Sequence, residues 1–177
     1  TPNPFTKDLL VPGVLFIQRY LKVKNVVPNA SAAIFHRDLL KDPGIWDGTQ
    51  DMRMCGDWLF WIRLASRTRV GFVAEELNHF REHAAVSRSH LTLDRQRSRL
   101  WEERTVRAEL AFRKDVDQRN EEHAMYVRWS ALFAVRSFFS NSFLRISLPG
   151  RSRFVPLLIG LVARCKARFA GPPSAAR

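Results

Sequence analysis

Residues 55–61 hold the densest group of side chains that could do chemistry. They read Cys-Gly-Asp-Trp-Leu-Phe-Trp, which places the carboxylate of Asp57 beside two indoles. A carboxylate can take a proton from a sugar hydroxyl that lies within hydrogen-bonding reach, and an indole face is a flat apolar platform for a sugar ring. The structural alternative is equally simple, because an acidic residue at a helix start and tryptophans in a core are both common.

A second stretch, residues 77–83, reads Leu-Asn-His-Phe-Arg-Glu-His and is followed by Val86 and Ser87. Arg81 and His83 are two positions apart, so in an extended strand their side chains point the same way. Such a pair could bind a diphosphate or the edge of a divalent metal site. The alternative is a surface loop with ordinary polar histidines.

The third stretch is residues 28–35, in which Asn29 and Ser31 are the polar side chains of an otherwise small and apolar run. Asn29-Ala30-Ser31 also fits the acceptor sequon for glycosylation. The first residues of the chain carry no basic-then-apolar signal pattern, and we therefore disfavour the sequon interpretation.

The order and spacing of these three stretches resemble the acceptor-side half of family 2 glycosyltransferases, which have a GT-A fold. The resemblance runs over residues 26–89, and its most specific parts are Gly-Asp-Trp at 56–58 and Phe-Arg-x-His at 80–83. It implies that Asp57 is the catalytic base, which deprotonates the acceptor hydroxyl as it attacks the anomeric carbon with inversion. Many members carry Glu where this sequence has Gly56, so the role of that Glu is not carried over.

The resemblance also implies roles for the other residues of the three stretches. Trp58 would form a wall of the acceptor or donor site, and Asn29 and Ser31 would lie on a strand lining the acceptor pocket. Arg81 would close over the donor diphosphate, and His83 would touch the metal. The implied partners are a nucleotide-sugar donor and a carbohydrate or lipid-linked acceptor, as in polysaccharide biosynthesis.

The implied cofactor is a divalent metal, Mg or Mn, held by an Asp-x-Asp motif in the donor-binding half of the family. No such half precedes Val26, and the Asp-x-Asp at 115–117 follows the proposed base in a charged, helical stretch. We interpret residues 115–117 as a solvated face. The isolated chain is therefore expected to be an inactive fragment.

The elements around these residues follow from apolar spacing and breakers. Trp58, Trp61, Leu64 and Ala65 form one face of a helix that begins at 56–57, and a short strand is expected at 70–74. Residues 25–35 are predicted to be extended and to enter a strand, because Pro28 disfavours helix at the preceding residue. The run 14–17 fits a strand or the start of a short helix.

Composition changes near residue 90, where long helical patterns begin. We predict a long exposed helix over 91–113 and a second over 124–139. The expected fold class is α/β: residues 1–89 form the acceptor-side, C-terminal half of a GT-A (Rossmann-like) domain, and residues 90–177 form a helical, basic C-terminal region.

Positive charge is concentrated at the end of the chain. The formal net charge is +12, and residues 145–177 contain no acidic side chain but seven basic ones: Arg145, Arg151, Arg153, Arg164, Lys166, Arg168 and Arg177. Residues 151–169 are basic and apolar, which favours peripheral contact with an acidic membrane; their longest apolar run is too short to span one. The alternative is a helix packed on the protein with solvated arginines.

Two function classes besides the enzyme stay open: a non-catalytic remnant, and a basic module that binds membrane or nucleic acid. No zinc-finger or ribonucleoprotein motif occurs in the sequence, so we expect no nucleic-acid partner.

Cys55 and Cys165 are far apart and form no metal or redox pair. Two thiols without a framework fit a reducing compartment, and the expected location is cytoplasmic, with a peripheral site at the inner face of the membrane.

Overall fold

A computed structural model describes residues 5–77, 92–132, 146, 148–150 and 154–169, the side chains of 157 and 164–169 excepted. The chain divides into two compact units, Thr1–Leu91 with Arg113–Asp117, and Thr92–Phe112 with Gln118–Arg177. No pattern in the sequence indicates that the short segment 113–117 belongs with the first unit.

The first unit contains a two-stranded antiparallel sheet of β1 (Leu9–Pro12) and β2 (Arg69–Phe72). Leu9 pairs with Phe72 and Val11 with Val70. The strand predicted at 70–74 is therefore confirmed with slightly earlier bounds. These two strands form the sheet of the described residues; they do not test the GT-A expectation, which stays a prediction.

A helical segment follows β1 without a loop. Helix α1 (Gly13–Phe16) continues as a π-helical turn, Ile17–Leu21, so the strand alternative for residues 14–17 is wrong. Gly13 lies at the junction of strand and helix, and its N–H donates to the Thr68 carbonyl at 2.9 Å. A Cβ at this position would lie only 1.7 Å from the carbonyl oxygen of Ala65.

Helix α2 (Gly56–Ala65) is the central element of the first unit. The residues that are buried most completely are Ile17, Leu21, Ile45, Leu59 and Ile62. A ring cluster closes one side, with Phe5 at 4.6 Å from Phe72 between ring centroids. The unit thus packs α2 against the segment that follows β1, and this packing determines where the N-terminus of α2 lies.

Residues 25–35 do not enter a strand as predicted. The described backbone has a 3-10 turn at Ala30–Ala32, flanked by extended Asn29 and Ala33. The Ala32 N–H donates to the Asn29 carbonyl and the Ala33 N–H to the Ala30 carbonyl. An apolar extended run becomes a strand only when a neighbouring strand offers backbone partners, and here the backbone bonds locally. Two further 3-10 helices follow, Arg37–Lys41 and Pro43–Ile45.

The second unit is helical: α3 (Leu93–Ala111), α4 (Arg119–Leu132) and α5 (Val155–Phe169). Its core contains Leu100, Met125, Tyr126, Trp129, Ile146 and Leu148. The bounds predicted for α3 hold within two residues. Helix α4 begins five residues earlier than predicted, and residues 133–139 of that prediction lie outside the described residues.

Two expectations about charged segments are wrong in part. Helix α3 is not exposed all round, because Leu100, Glu103, Val106, Arg107 and Leu110 are buried on one side. Residues 115–117 are not helical, although the side chains of Asp115 and Asp117 are exposed as expected.

Within the described ranges, no helix combines the length and apolar character needed to cross a bilayer.

Candidate functional site

Asp57 is the second residue of α2 and lies in its first turn, as the sequence predicts. Its side chain is exposed, whereas the next five residues of the helix, 58–62, are buried. A negative charge at this position interacts favourably with the partial positive charge of the helix N-terminus. Helix packing therefore holds the backbone of Asp57 firmly while its carboxylate stays accessible.

Asn25 orients the carboxylate of Asp57. The Asn25 Nδ2 donates to Asp57 Oδ2 at 2.9 Å, and the Asn25 Oδ1 accepts from the Val27 N–H at 3.0 Å. The other carboxylate oxygen, Asp57 Oδ1, accepts from the Trp58 N–H at 2.7 Å. A carboxylate offers about four lone-pair positions, so both oxygens can accept a further hydrogen bond from a ligand hydroxyl.

Sequence reasoning missed Asn25. It lies 32 positions before Asp57, and no pattern relates the two. The only available signal is weak: an asparagine shortly before a proline in a small-residue stretch. Only the path of the chain around α2 brings the amide to the carboxylate.

Trp58 anchors α2 and offers little surface. Its indole is buried, and Nε1–H donates to the Leu21 carbonyl at 2.7 Å. This bond joins the start of α2 to the end of the π-helical turn, and so supports the position of Asp57 from behind. A ligand could meet only a small part of this ring, and its role as a site wall stays a prediction.

Gly56 is required by close packing. A Cβ at residue 56 would lie 2.3 Å from the carbonyl oxygen of Thr49, a backbone atom that cannot move aside. The Glu that many family 2 members carry at this position therefore has no room on this backbone. If the chain has the predicted activity, it works without that carboxylate.

The placement of Asn29 and Ser31 on a strand is wrong: Ser31 lies in the 3-10 turn at 30–32 and Asn29 directly precedes it. The Ser31 hydroxyl donates to Asn29 Oδ1 at 2.5 Å. Among the described residues, Asp57 accepts from Asn25 and Trp58 and not from this pair. Arg81 and His83 lie outside the described residues. The structure thus joins Asp57 to Asn25, and the other predicted site residues keep their roles as predictions.

The residues that the structure describes do not form a site for the implied divalent metal: no group of three or more His, Cys, Asp or Glu side chains lies close enough together. The 115–117 segment is held through its backbone instead, because Gln18 Nε2 donates to the Asp115 carbonyl and Lys22 Nζ to the Asp117 carbonyl. Val116 between them is buried. This Asp-x-Asp is a packed connection with solvated carboxylates.

Trp46 is a second feature that sequence reasoning missed. Its side chain is 44% exposed, while its ring contacts Phe60 of α2 with centroids 4.8 Å apart. Phe60 in turn packs on Trp61 and Phe35. Trp46 is therefore a rigidly supported aromatic ring in the first unit, of the kind that can stack on a sugar.

Nearby, Asp42 is engaged in a structural ion pair. Arg67 Nε lies 2.5 Å from Asp42 Oδ2, and the Gly44 N–H donates to Asp42 Oδ1 at 2.8 Å. The hydrogen bond from Arg67, followed by that from Gly44, lowers the pKa of Asp42 below its ordinary value. This carboxylate caps the 3-10 helix at 43–45, which distinguishes it from Asp57, whose partner is a neutral amide.

Comparison with protein-family models, with curated proteins and with solved structures gave no match to this chain.

Proposed function

We propose that this chain is the acceptor-side part of an inverting glycosyltransferase similar to family 2, with Asp57 as its general base. The observation that carries the proposal is the exposed carboxylate in the first turn of α2, oriented by the Asn25 amide at 2.9 Å. The spacing of the Gly-Asp-Trp and Phe-Arg-x-His stretches in the sequence supports the reaction class.

In the proposed reaction, an acceptor hydroxyl hydrogen-bonds to a carboxylate oxygen of Asp57. The hydroxyl oxygen attacks the anomeric carbon of a nucleotide sugar from the face opposite the leaving group. The new glycosidic C–O bond forms as the bond to the phosphate oxygen breaks, and the proton passes to Asp57. The Asn25 amide restrains the carboxylate during this transfer, which favours a reactive geometry.

The donor side of the proposal depends on Arg81 and His83. Arg81 would bind the donor diphosphate. His83 would lie near the divalent metal that neutralises the charge of this diphosphate. The acceptor is a carbohydrate, free or lipid-linked, and Trp46 is a candidate stacking surface for it in addition to Asn29 and Ser31.

The test begins with the coding DNA upstream of Thr1, followed by expression of the complete reading frame. Release of nucleoside diphosphate is then measured over a panel of nucleotide sugars and oligosaccharide acceptors. Asp57→Asn is expected to lower kcat by about 10²–10⁴-fold, the usual contribution of a general base. Asp51→Asn is the matched control, because Asp51 is another exposed acid of the same unit, and it should leave kcat unchanged.

The 177-residue chain alone is expected to transfer no sugar. A complete protein in which Asp57→Asn keeps full activity would exclude Asp57 as the base. A complete reading frame that is inactive with every donor and acceptor would instead favour the non-catalytic remnant.

Asn25 is a positioning residue in this proposal. Asn25→Ala in the complete protein should lower kcat by about tenfold with little change in KM, because the carboxylate loses orientation and not its charge. Asn25→Gln should recover part of the rate. An equal loss in both variants, accompanied by a lower melting temperature, would indicate a purely structural role.

A further inference from the structure

Helix α5 has two different apolar faces. On one face, Val155 and Ile159 pack against the core cluster of the second unit, and Pro156 and Gly160 are buried. The other face is exposed, and its apolar members with their exposed fractions are Leu158 64%, Leu161 43% and Val162 46%. Among the described residues, the core cluster packs against the first face and includes none of these three side chains.

The exposed residues follow helical spacing. Positions 158, 161 and 162 are related by steps of three and four, which places them on one stripe along the helix. We call residues Leu158, Leu161 and Val162 the α5 stripe. Grouped exposed apolar side chains on a folded protein can mark an interaction site.

The charge of the surrounding sequence indicates what the α5 stripe binds. Residues 145–177 contain seven basic side chains and no acidic one. A partner that complements this segment must be both apolar and negatively charged. The surface of a bilayer with anionic headgroups meets both conditions, since acyl chains accept the stripe and phosphates attract the basic side chains.

We propose that α5 binds the surface of an anionic bilayer and lies in its plane. The helix has 15 residues, a length of about 22 Å at 1.5 Å per residue, which suits the interface better than a transmembrane position. The stripe enters the boundary between headgroups and acyl chains. The opposite face keeps its contacts with the core, so the helix binds without leaving its unit.

A nucleic-acid partner fits these observations less well. Phosphate contacts would use the basic side chains, but they would leave the α5 stripe in water. The membrane proposal is also independent of the proposed sugar transfer, because its test uses the 177-residue protein and needs no enzymatic activity. Failure of either proposal therefore leaves the other intact.

The experiment is flotation of the 177-residue protein with vesicles of phosphatidylglycerol and phosphatidylcholine, or of phosphatidylcholine alone. The protein should float only with the anionic vesicles and should be released by high salt, which screens the charges. Leu158→Glu should weaken vesicle association at least about tenfold, since it places a charge in the stripe that enters the bilayer. Phe112→Glu is the matched control, because Phe112 is an exposed apolar residue of the same unit, 76% against 64% for Leu158, and the variant carries the same added charge.

A second variant reports insertion directly. Leu161→Trp adds an indole within the stripe to the five of the parent protein. The difference in emission between variant and parent should shift to the blue with anionic vesicles and be quenched by brominated acyl chains. If the added indole of the floated protein still emits like an indole in water, insertion of the stripe is overturned.

Three further outcomes would overturn the proposal. Equal flotation with phosphatidylcholine alone would remove the role of charge, and equal weakening by Leu158→Glu and Phe112→Glu would remove the role of the stripe. The third is a partner of another kind: tighter binding to duplex DNA or RNA than to anionic vesicles, or a dimer in solution that Leu158→Glu dissociates.

Discussion

Asp57 of the first unit and Glu103 of the second differ in exposure and in the groups that bond to their carboxylates. In the first unit, the Asp57 carboxylate is exposed and accepts a hydrogen bond from the neutral amide of Asn25. In the second, Glu103 is 4% exposed and Arg107 only 2%. The Glu103 Oε1 accepts from Arg107 Nη2 at 3.2 Å and from Arg128 Nη2 at 2.6 Å.

This difference separates a carboxylate that can react from one that is structural. Glu103 is held by two guanidinium groups and is buried, so its carboxylate has no access to a substrate. The Asp57 carboxylate is accessible to a substrate and is restrained by the hydrogen bond from Asn25. The charge-rich helices of the second unit therefore contribute stability, and the candidate chemistry lies in the first unit, which has fewer regular elements.

The largest expected effect is a loss of stability in the second unit alone. Glu103→Ala removes the shared partner of Arg107 and Arg128, and breaking such a buried pair costs about 3–5 kcal/mol. Hydrogen exchange measured by mass spectrometry should show faster exchange in α3 and α4, with the peptides of α2 unchanged. Asp94→Ala is the control on the same helix, since Asp94 pairs with Arg97 at the surface and should matter little. Equal effects of the two variants would mean that burial of Glu103 adds nothing.

The converse experiment breaks the first unit. Gly13→Ala puts a Cβ 1.7 Å from the Ala65 carbonyl oxygen, and overpacking against backbone costs about 3 kcal/mol. Exchange should then rise in α2 and leave α3 unchanged. Gly71→Ala is the matched control, because its nearest neighbour would be 3.8 Å away. A Gly13→Ala protein as stable as Gly71→Ala to urea would contradict the close approach.

A smaller effect is expected from the buried phenol of the second unit. The Tyr126 hydroxyl donates to Glu122 Oε1 at 3.0 Å and accepts from the Leu148 N–H at 3.2 Å. Tyr126→Phe should cost about 1–2 kcal/mol, because a buried acceptor and donor lose their partner. Urea denaturation at neutral pH measures this loss, and a cost near zero would mean that water replaces the hydroxyl.

Tyr126 also predicts how the second unit responds to alkali. Burial, the largest cause, raises the pKa of Tyr126 well above its ordinary value of 10.0. The folded-state pKa is thus higher than the unfolded one, so this stabilisation is complete below pH 10 and is lost as pH rises toward the folded value. The Tyr126→Phe protein should lose less stability between neutral pH and pH 11 than the parent. An identical alkaline loss in both would contradict this linkage.

The smallest effect concerns Asp42 of the first unit. Its pKa is lowered, chiefly by the hydrogen bond from Arg67, so its stabilisation is present above the unfolded value of 3.8 and disappears as pH falls through the folded one. Asp42→Asn should remove this acid dependence while changing stability little at neutral pH, since the pair is partly solvated. Urea midpoints at neutral and acid pH compare the two proteins; parallel changes would show that the Asp42–Arg67 pair is not linked to folding.

Much of the local structure could be predicted from the sequence. The predictions that are wrong have a common cause. The start of α2 and its apolar face follow from Trp58, Trp61 and Leu64, and the bounds of α3 follow from a run without glycine or proline. The prediction of a strand over residues 25–35 is wrong because their apolar character says nothing about whether a strand is available beside them. Glu103 and Arg107 were assigned to an exposed helix because each is usually solvated when considered singly.

The candidate site divides in the same way. The sequence by itself determined that a carboxylate, Asp57, begins a helix with an apolar face, because helix starts and apolar spacing are local properties. It also determined that the last 33 residues carry basic charge without acidic residues. Only the tertiary structure decided that Asn25 restrains Asp57, that Trp58 anchors the helix from behind, and that the α5 stripe is exposed. Those facts depend on which distant segments meet, and contacts between distant segments arise from packing of the whole unit and not from any local pattern.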